Sequence, residues 1–212
     1  MPRRETPFLP DQYYHFYNRG NNRQAVFFEQ ENYLYFLKNI KKYLHEHVDI
    51  LAYCLMPTHY HMLVRVKPSQ KTSEVLKTSE VSAREASKQV SLAMQKFGIS
   101  YTKAINKRFS RVGALFQGQF QGKPIATYPH LLKLCIYIHA NPVKDGLVFL
   151  PEEWEFSNYL EWLNLREGTL VDREFIAENF GSPEEYKDLV MQYIQTRALP
   201  DEVIQYIQEL EK

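Results

Sequence analysis

The sequence predicts an α+β fold followed by a small helical extension, and three features carry that prediction. Segments rich in aromatic and β-branched residues at 12–17, 49–55 and 59–66 predict strands. Apolar residues recur every three or four positions over 32–47 and again from Ser87 onward, which is typical of amphipathic helices. Beyond residue 150 the chain becomes acidic, and Ser182-Pro183-Glu184-Glu185 has the pattern of a helix start. Strands and helices are therefore predicted together in the first part of the chain, and helices in the last.

The boundaries between these elements are marked by turn residues. Residues 1–11 are polar, contain three prolines and predict a flexible lead-in. The turn composition at 18–23 ends the first strand, and its backbone amides either hold a phosphate or belong to a plain loop. Met56-Pro57-Thr58 predicts the tight connection of a hairpin. Residues 67–82, where Lys-Thr-Ser-Glu-Val occurs twice, predict a mobile or frayed-helical insertion.

The second half of the chain divides in the same way. Glycines at 113–125 predict an edge strand or a strand-loop that another backbone or a ligand can approach. Pro129 and Pro142 bracket a helix predicted over 130–141. The apolar cluster at 154–163 is expected to pack onto what precedes it. We therefore predict a main domain over 12–165 and an acidic helical extension over 166–212.

Composition narrows the class of protein. The chain has 212 residues, of which 44% are hydrophobic and 24% charged, as in ordinary soluble domains. Its two cysteines, Cys54 and Cys135, lie far apart, so neither a disulfide framework nor a thiolate zinc site is expected. No apolar run is long enough to span a membrane and the amino terminus lacks a signal pattern, so a cytoplasmic location is predicted.

The overall charge of +1 hides a strong asymmetry. Residues 1–150 carry +11 and residues 151–212 carry −10. A basic domain favours a polyanionic partner, although two solvated faces that pair with each other remain an alternative. Residues 96–123 contain no acidic residue. Our candidates for contacts with a nucleic acid are basic residues of the turn and of this stretch, namely Arg19, Arg23, Lys103, Lys107, Arg108, Arg111 and Lys123.

Two residue pairs have the spacing of a chemical site. His59 and His61 alternate along a predicted strand, so their side chains point to the same face and could share a metal ion. The alternative is two histidines on the wet face of an ordinary strand. Tyr137 and Asn141 are four residues apart on a predicted helix and therefore project from one side of it. Taken alone, each pair is a weak signal.

Four segments in this order strengthen both pairs, and they read Tyr17-Asn18-Arg19-Gly20-Asn21-Asn22-Arg23, Ala52-Tyr53-Cys54-Leu55-Met56-Pro57-Thr58-His59-Tyr60-His61-Met62-Leu63-Val64, Leu115-Phe116-Gln117-Gly118 and Tyr137-Ile138-His139-Ala140-Asn141-Pro142-Val143-Lys144-Asp145-Gly146-Leu147-Val148. They resemble the HUH-type single-strand transposases, most closely the REP-associated tyrosine transposases. The resemblance covers roughly residues 12–160. It departs from the family at Thr58, where asparagine is common, at Gln119, where a basic residue is frequent, and in the duplicated insertion.

The resemblance implies a ferredoxin-like antiparallel sheet with helices packed on one face. It also implies that His59, His61 and Asn141 bind a divalent metal, Mg²⁺ or Mn²⁺, with Ni²⁺ or Zn²⁺ as adventitious occupants. By the same resemblance Tyr137 is the nucleophile of a transposase that cuts and rejoins DNA by transesterification through a 5′-phosphotyrosine. The implied partner is single-stranded or hairpin DNA, with no membrane and no small-molecule cofactor.

Two alternative functions, and the role of the acidic extension, stay open at this point. The domain could bind hairpin DNA or RNA without cleaving it, or it could be a metal-dependent hydrolase that uses bound water. The hydrolase would need a carboxylate near the ligands, and residues 59–66 contain none. The acidic extension could cover the basic face or form a contact between two copies of the chain in a homodimer.

Overall fold

The computed structural model describes residues 7–68, 79–170 and 172–211. Its strands are β1 (Tyr13–Arg19), β2 (Val48–Met56), β3 (His59–Val66) and β4 (Gln121–Pro124). Its α-helices are α1 (Gln30–Tyr43), α2 (Ser79–Arg108), α3 (Tyr128–Lys144), α4 (Tyr159–Trp162), α5 (Arg173–Phe180), α6 (Pro183–Thr196) and α7 (Asp201–Glu211). Short 3₁₀ turns lie at Asn21–Arg23 and Pro151–Glu153. The α+β class predicted from the sequence is confirmed.

The four strands form one antiparallel sheet in the order β2-β3-β1-β4. With α1 between β1 and β2, and α2 between β3 and β4, the connectivity is the β-α-β-β-α-β pattern of ferredoxin-like folds. The predicted ferredoxin-like sheet is therefore confirmed. β3 begins and ends where the sequence predicted it, and the glycine-bearing segment at 113–125 supplies the short edge strand β4.

By its contacts the chain divides into two compact units. Unit 1 comprises residues 1–50 and 55–124, and unit 2 comprises 51–54 and 125–212. The domain boundary expected at residue 165 stays a prediction. Residues 51–54, in the middle of β2, are grouped with unit 2.

An aromatic core holds α1 and α2 against one face of the sheet in unit 1. Phe36 of α1 contacts Tyr60 of β3 with ring centroids 4.9 Å apart, and it also meets Phe97 and Tyr101 of α2. The hydroxyl of Tyr101 donates to the carbonyl of Val26 at 2.8 Å, and burial raises the pKa of this phenol. Because neighbouring residues of a strand face opposite sides, packing of Tyr60 on the helices leaves the side chains of His59 and His61 on the other face.

The segment that follows β1 anchors the β2–β3 turn. Amides of Gly20 and Val26 donate to the carbonyls of Thr58 and Pro57 at 2.7 and 2.8 Å, respectively. Gly20 is required here because a Cβ at this position would clash with the carbonyl oxygen of Gln24. The backbone amides of Gly20, Asn21 and Arg23 all donate to backbone carbonyls. Because these amides are already used, the structure favours the plain loop over a loop whose amides bind a phosphate.

Unit 2 is organised around α3. Its Ile136, Ile138 and Ala140 are buried, as is His139, which contacts Trp162 and Tyr186 through its ring. The aromatic core of this unit is completed by residues of α4 and α5, namely Tyr159, Phe175 and Phe180. Ser182 begins α6 with the predicted capping box. The helix expected after Pro200 is α7.

Several helix boundaries differ from the prediction, since α1 spans Gln30–Tyr43 where 32–47 was predicted and α3 begins at Tyr128 where 130 was predicted. Pro142 does not end α3, which continues to Lys144, because a proline this close to the end costs only the bond to the carbonyl of Ile138. Helix α2 begins at Ser79 instead of Ser87, so the end of the predicted insertion is helical. The rest of that insertion over 69–78, like the lead-in up to residue 6, lies outside the described residues.

Two further observations concern the first residues and the helices as a whole. Phe8 lies within the predicted flexible lead-in of residues 1–11, and its side chain is fully buried against Tyr14 and Phe16. Within the described parts of the chain, no helix combines the length and apolarity needed to cross a membrane.

Candidate functional site

The paired histidines lie at the start of β3, on the sheet face opposite α1 and α2. Their ring centroids are 5.0 Å apart, as expected for residues that alternate along a strand. His61 is 6% exposed, while His59 next to the turn is half-buried. The prediction that both imidazoles point to one face is confirmed.

Each of these imidazoles is held through its Nδ1 atom. Nδ1 of His61 lies 2.9 Å from Nε2 of His15, a fully buried residue of β1. Nδ1 of His59 lies 3.0 Å from the hydroxyl of Thr58. A histidine that binds a metal through Nε2 commonly has its Nδ1 held by a hydrogen-bond partner, which fixes the tautomer and the ring orientation. Here the His15 imidazole and the Thr58 hydroxyl hold the two rings, in the place where a carboxylate, a backbone carbonyl or water is usual.

Strand register identifies the other side chains on this face. Tyr17 of β1 stands opposite His61, and Arg19 stands opposite His59. On the other side of β1, Lys123 of β4 pairs with His15. Residues opposite one another in an antiparallel pair share a face, so two of the basic residues predicted to contact DNA, Arg19 and Lys123, lie on the histidine face.

Tyr137 and Asn141 lie on α3 in unit 2, two residues either side of His139. The side chain of Tyr137 is 2% exposed, and its ring contacts that of Tyr193 in α6. Nζ of Lys144 donates a hydrogen bond to the Tyr137 hydroxyl at 3.1 Å and lies 4.9 Å from the centroid of its ring. The phenol oxygen therefore has a cation within hydrogen-bonding distance.

The amide of Asn141 has an unusual environment. The residue is 1% exposed, and its Nδ2 has no hydrogen-bond partner among the described residues. A buried amide nitrogen without a partner is costly, and the two ends of an asparagine amide are easily exchanged by rotating the group. After that rotation the carbonyl oxygen points where the nitrogen now lies. An amide oxygen in that position suits a hard cation.

Two imidazoles on one face and an amide oxygen are donor types that suit a divalent metal ion. Among the described residues, no cluster of three or more His, Cys, Asp or Glu is arranged to hold a metal. Two imidazoles would need a ligand of another type, and the amide oxygen of Asn141 is such a ligand. Both thiols are unsuitable because burial raises the pKa of Cys54 and of Cys135.

The remaining basic candidates line the end of α2 and the loop after β1. Lys103, Lys107 and Arg23 are exposed. Arg108 pairs with Glu29 at 3.0 Å, and the guanidinium of Arg111 lies 5.4 Å from the ring centroid of Phe28. Phe28 is 41% exposed, and its ring packs at a tilt against that of Phe109 with centroids 4.6 Å apart. Exposed aromatic rings beside arginines form the kind of surface on which unpaired bases stack.

The structure brings some of the predicted residues together and adds two that were not predicted. His59 and His61 share a face, and Tyr137 and Asn141 share a helix, as expected. His15 was missed, although its spacing of two from Tyr17 places both on one face of a strand. Lys144 was missed because Pro142 was expected to end the helix before this residue. In the observed helix Lys144 lies two turns after Tyr137 and on the same side.

Comparison with known proteins assigns the chain to a family. The family model described as "Transposase IS200 like" matches residues 9–141, a range that contains both residue pairs. A solved structure of a REP-associated tyrosine transposase bound to a REP hairpin has a similar fold, with a TM-score of 0.52 at 16% identity, over 82% of this chain and 98% of that one. No curated protein matches the sequence. Because the family match covers more than half of the chain, this chain belongs to the IS200-like transposase family.

Proposed function

We propose that this chain is a metal-dependent single-stranded DNA endonuclease and strand transferase of the REP-associated branch, acting next to hairpins through a 5′-phosphotyrosine. The observation that supports this most is the family match, because it contains the histidine pair, Tyr137 and Asn141 in one continuous range. The likeness to a hairpin-bound transposase supports a hairpin as the DNA element that is recognised. A cytoplasmic location is part of the proposal.

Tyr137 is the proposed nucleophile. Its oxygen would attack the scissile phosphorus, form the phosphotyrosine and release the 3′ end of the cut strand. An unperturbed phenol has a pKa near 10, so the reaction at neutral pH needs groups that favour the anion. Because the side chain is 2% exposed, DNA must displace some of the groups that cover it before the attack.

His59, His61 and Asn141 are the proposed ligands of one Mg²⁺ or Mn²⁺ ion. When bound, such an ion polarises the phosphodiester and stabilises the charge that builds on its oxygens. Thr58 and His15 support this assignment by holding the Nδ1 atoms of the two imidazoles.

The basic residues are proposed to track the DNA backbone. Arg19 and Lys123 lie on the histidine face, and Arg108, Arg111, Lys103, Lys107 and Arg23 form the second set of cations. Phe28 and Phe109 would stack on unpaired bases between them. The affinity for DNA should therefore fall steeply with salt, as it does when phosphates are neutralised by Lys and Arg.

A covalent trapping assay tests the proposal. The protein is incubated with Mn²⁺ and a hairpin-flanked oligonucleotide labelled on the 3′ side of the expected cut, and the product is separated under denaturing conditions. We expect a labelled protein band that requires metal and disappears in Tyr137→Phe. Tyr128→Phe, on the same helix, is the matched control and should retain the band.

Two results would contradict the assignment. An adduct that persists in Tyr137→Phe would remove Tyr137 from the role of nucleophile. Tight hairpin binding without cleavage under any metal condition would instead favour the non-cleaving binding module. In that case charge removal at Lys107, Arg108 and Arg111 should abolish binding while Tyr137→Phe changes nothing.

A further inference from the structure

The contact between Lys144 and Tyr137 places a cation at the proposed reacting atom. Nζ of Lys144 donates to the phenol oxygen at 3.1 Å, and it also lies 4.9 Å from the ring centroid. The two residues are seven positions apart, close to two turns of a helix, so both project from the same side of α3. The hydrogen bond to the hydroxyl and the short distance to the ring both show that the ammonium of Lys144 lies against the side chain of Tyr137.

The end of α3 holds Lys144 in place. The helix runs through Pro142, and the amides of Asp145 and Leu147 bond to the carbonyls of Asn141 and Pro142 at 2.9 Å each. A cation in the last turn is favoured by the helix dipole. The side chain of Lys144 is 26% exposed, and the carboxylate of Asp145 is 4.0 Å from its Nζ. The ammonium is thus partly shielded from water and directed toward the phenol.

We propose that Lys144 is a catalytic residue whose ammonium stabilises negative charge on the Tyr137 oxygen. The inference rests on the proposed function and deepens it, because it names the group that makes a buried phenol reactive. The charge is present twice in the reaction cycle, on the attacking oxygen before cleavage and on the departing oxygen during rejoining. One cation at this position serves both directions.

Atoms and charges balance in each direction. During cleavage the phenol gives its proton to solvent water, the bond from its oxygen to phosphorus forms, and the bond from phosphorus to the 3′ oxygen breaks. The 3′ oxygen then takes a proton from water. During rejoining a 3′-hydroxyl attacks the phosphotyrosine, loses its proton to water and displaces the phenolate beside Lys144. The lysine remains an ammonium throughout, and no oxidant or nucleotide is needed.

Two other roles could explain the same contact. Lys144 could simply pack its stem against the ring, in which case only the stability of the fold depends on it. Alternatively, it could protonate the departing 3′ oxygen as a general acid. Each role predicts a different response to the variants and substrates below.

Single-turnover adduct formation with saturating hairpin-flanked DNA and Mn²⁺ provides the test. We expect Lys144→Met to form the adduct about a hundredfold more slowly, the usual effect of losing one preorganised donor at a developing charge. Lys144→Arg should recover most of the rate because it restores the cation. Lys133→Met removes the same charge from the same helix and should react like the wild type. DNA affinity and the unfolding midpoint are measured for every variant, and Lys144→Gln replaces Lys144→Met if the latter does not fold.

A substrate with sulfur in place of the bridging 3′ oxygen separates the two chemical roles. A thiolate leaves without a proton, so it rescues a missing general acid but not a missing partner of Tyr137. We expect the defect of Lys144→Met to persist with this substrate. Rescue by sulfur would overturn the inference, as would a Lys144→Met rate equal to that of the wild type, and in both cases the proposed function would survive. If the wild type forms no adduct at all, the proposed function fails and the inference fails with it.

Discussion

Two buried histidines, His61 in β3 and His139 in α3, show how hydrogen bonding separates a candidate ligand from a structural residue. His139 uses both ring nitrogens inside unit 2, with Nδ1 2.6 Å from the Tyr186 hydroxyl and Nε2 2.9 Å from Oδ1 of Asn158. His61 has its Nδ1 held by another imidazole, that of His15, which is the support expected of a residue that presents Nε2 to a metal. Burial alone does not distinguish the two.

The roles of the atoms around His139 can be worked out from the network. Oδ1 of Asn158 also accepts from the amide of Tyr53 at 2.7 Å, and Nδ2 donates to the carbonyl of Leu51 at 2.8 Å. Since Oδ1 accepts, Nε2 of His139 carries a proton. Because burial lowers the pKa of this ring to about 4, the ring is neutral at neutral pH, which leaves Nδ1 free of a proton and able to accept from Tyr186. This network joins α3 and α6 to the middle of β2.

The largest expected effect is the loss of stability when this network is broken. His139→Leu leaves the Tyr186 hydroxyl and the Asn158 amide without their partner in a buried site, so we expect a loss of about 2–4 kcal/mol in the free energy of unfolding. Urea denaturation measures it. His45→Leu, at an exposed position, is the control and should change stability by less than about 0.5 kcal/mol. A His139→Leu variant as stable as the wild type would show that the network contributes little.

Acidification should weaken the fold through the same residue. Because the folded pKa of His139 lies near 4 and the unfolded value near 6.5, its contribution is fully present above pH 6.5 and is lost as the pH falls toward 4. The shift corresponds to about 3 kcal/mol. Unfolding free energies of the wild type and His139→Leu at pH 7.5, 5.5 and 4.5 should therefore converge. Parallel pH profiles for the two proteins would contradict the buried neutral ring.

A smaller effect is expected at His15, where metal affinity and not stability is the relevant measurement. If His61 binds the metal through Nε2, its Nδ1 carries the hydrogen and donates a hydrogen bond to Nε2 of His15. His15→Phe removes that acceptor and should weaken Mn²⁺ binding by about ten- to a hundredfold, whereas His15→Gln offers an acceptor again and should recover part of it. Titration of Mn²⁺ followed by electron paramagnetic resonance measures both. Equal affinities in the wild type and His15→Phe would separate His15 from the metal site.

The contrast between these sites also explains what the sequence could and could not predict. The alternation of β3 made it possible to place His59 and His61 on one face, because a strand has a period of two whatever it pairs with. The contact between His15 and His61 depends on the register of β1 against β3, and no local pattern contains that register. The ferredoxin-like arrangement was predicted from the resemblance, and the individual strands were predicted from their composition.

In unit 2 one proline, Pro142, led to a wrong prediction of where α3 ends. Pro142 usually signals the end of a helix, and that rule placed Lys144 outside α3 and away from Tyr137. The helix continues because only one intrahelical bond near its end is lost, and backbone bonds from residues 145 and 147 compensate. The pairing of Asn158 with Leu51 and Tyr53 was equally out of reach, because it joins residues more than 100 positions apart.

The central proposal is that the histidine pair and Asn141 bind one metal ion, and a double-mutant cycle in Mn²⁺ affinity tests it most directly. Dissociation constants are measured for the wild type, His61→Ala, Asn141→Ala and the double variant. Ligands of one ion are coupled, so the double variant should bind Mn²⁺ no more than about threefold more weakly than His61→Ala, although Asn141→Ala alone weakens binding by about tenfold or more. Additive losses, or an Asn141→Ala variant that binds Mn²⁺ like the wild type, would contradict the shared site.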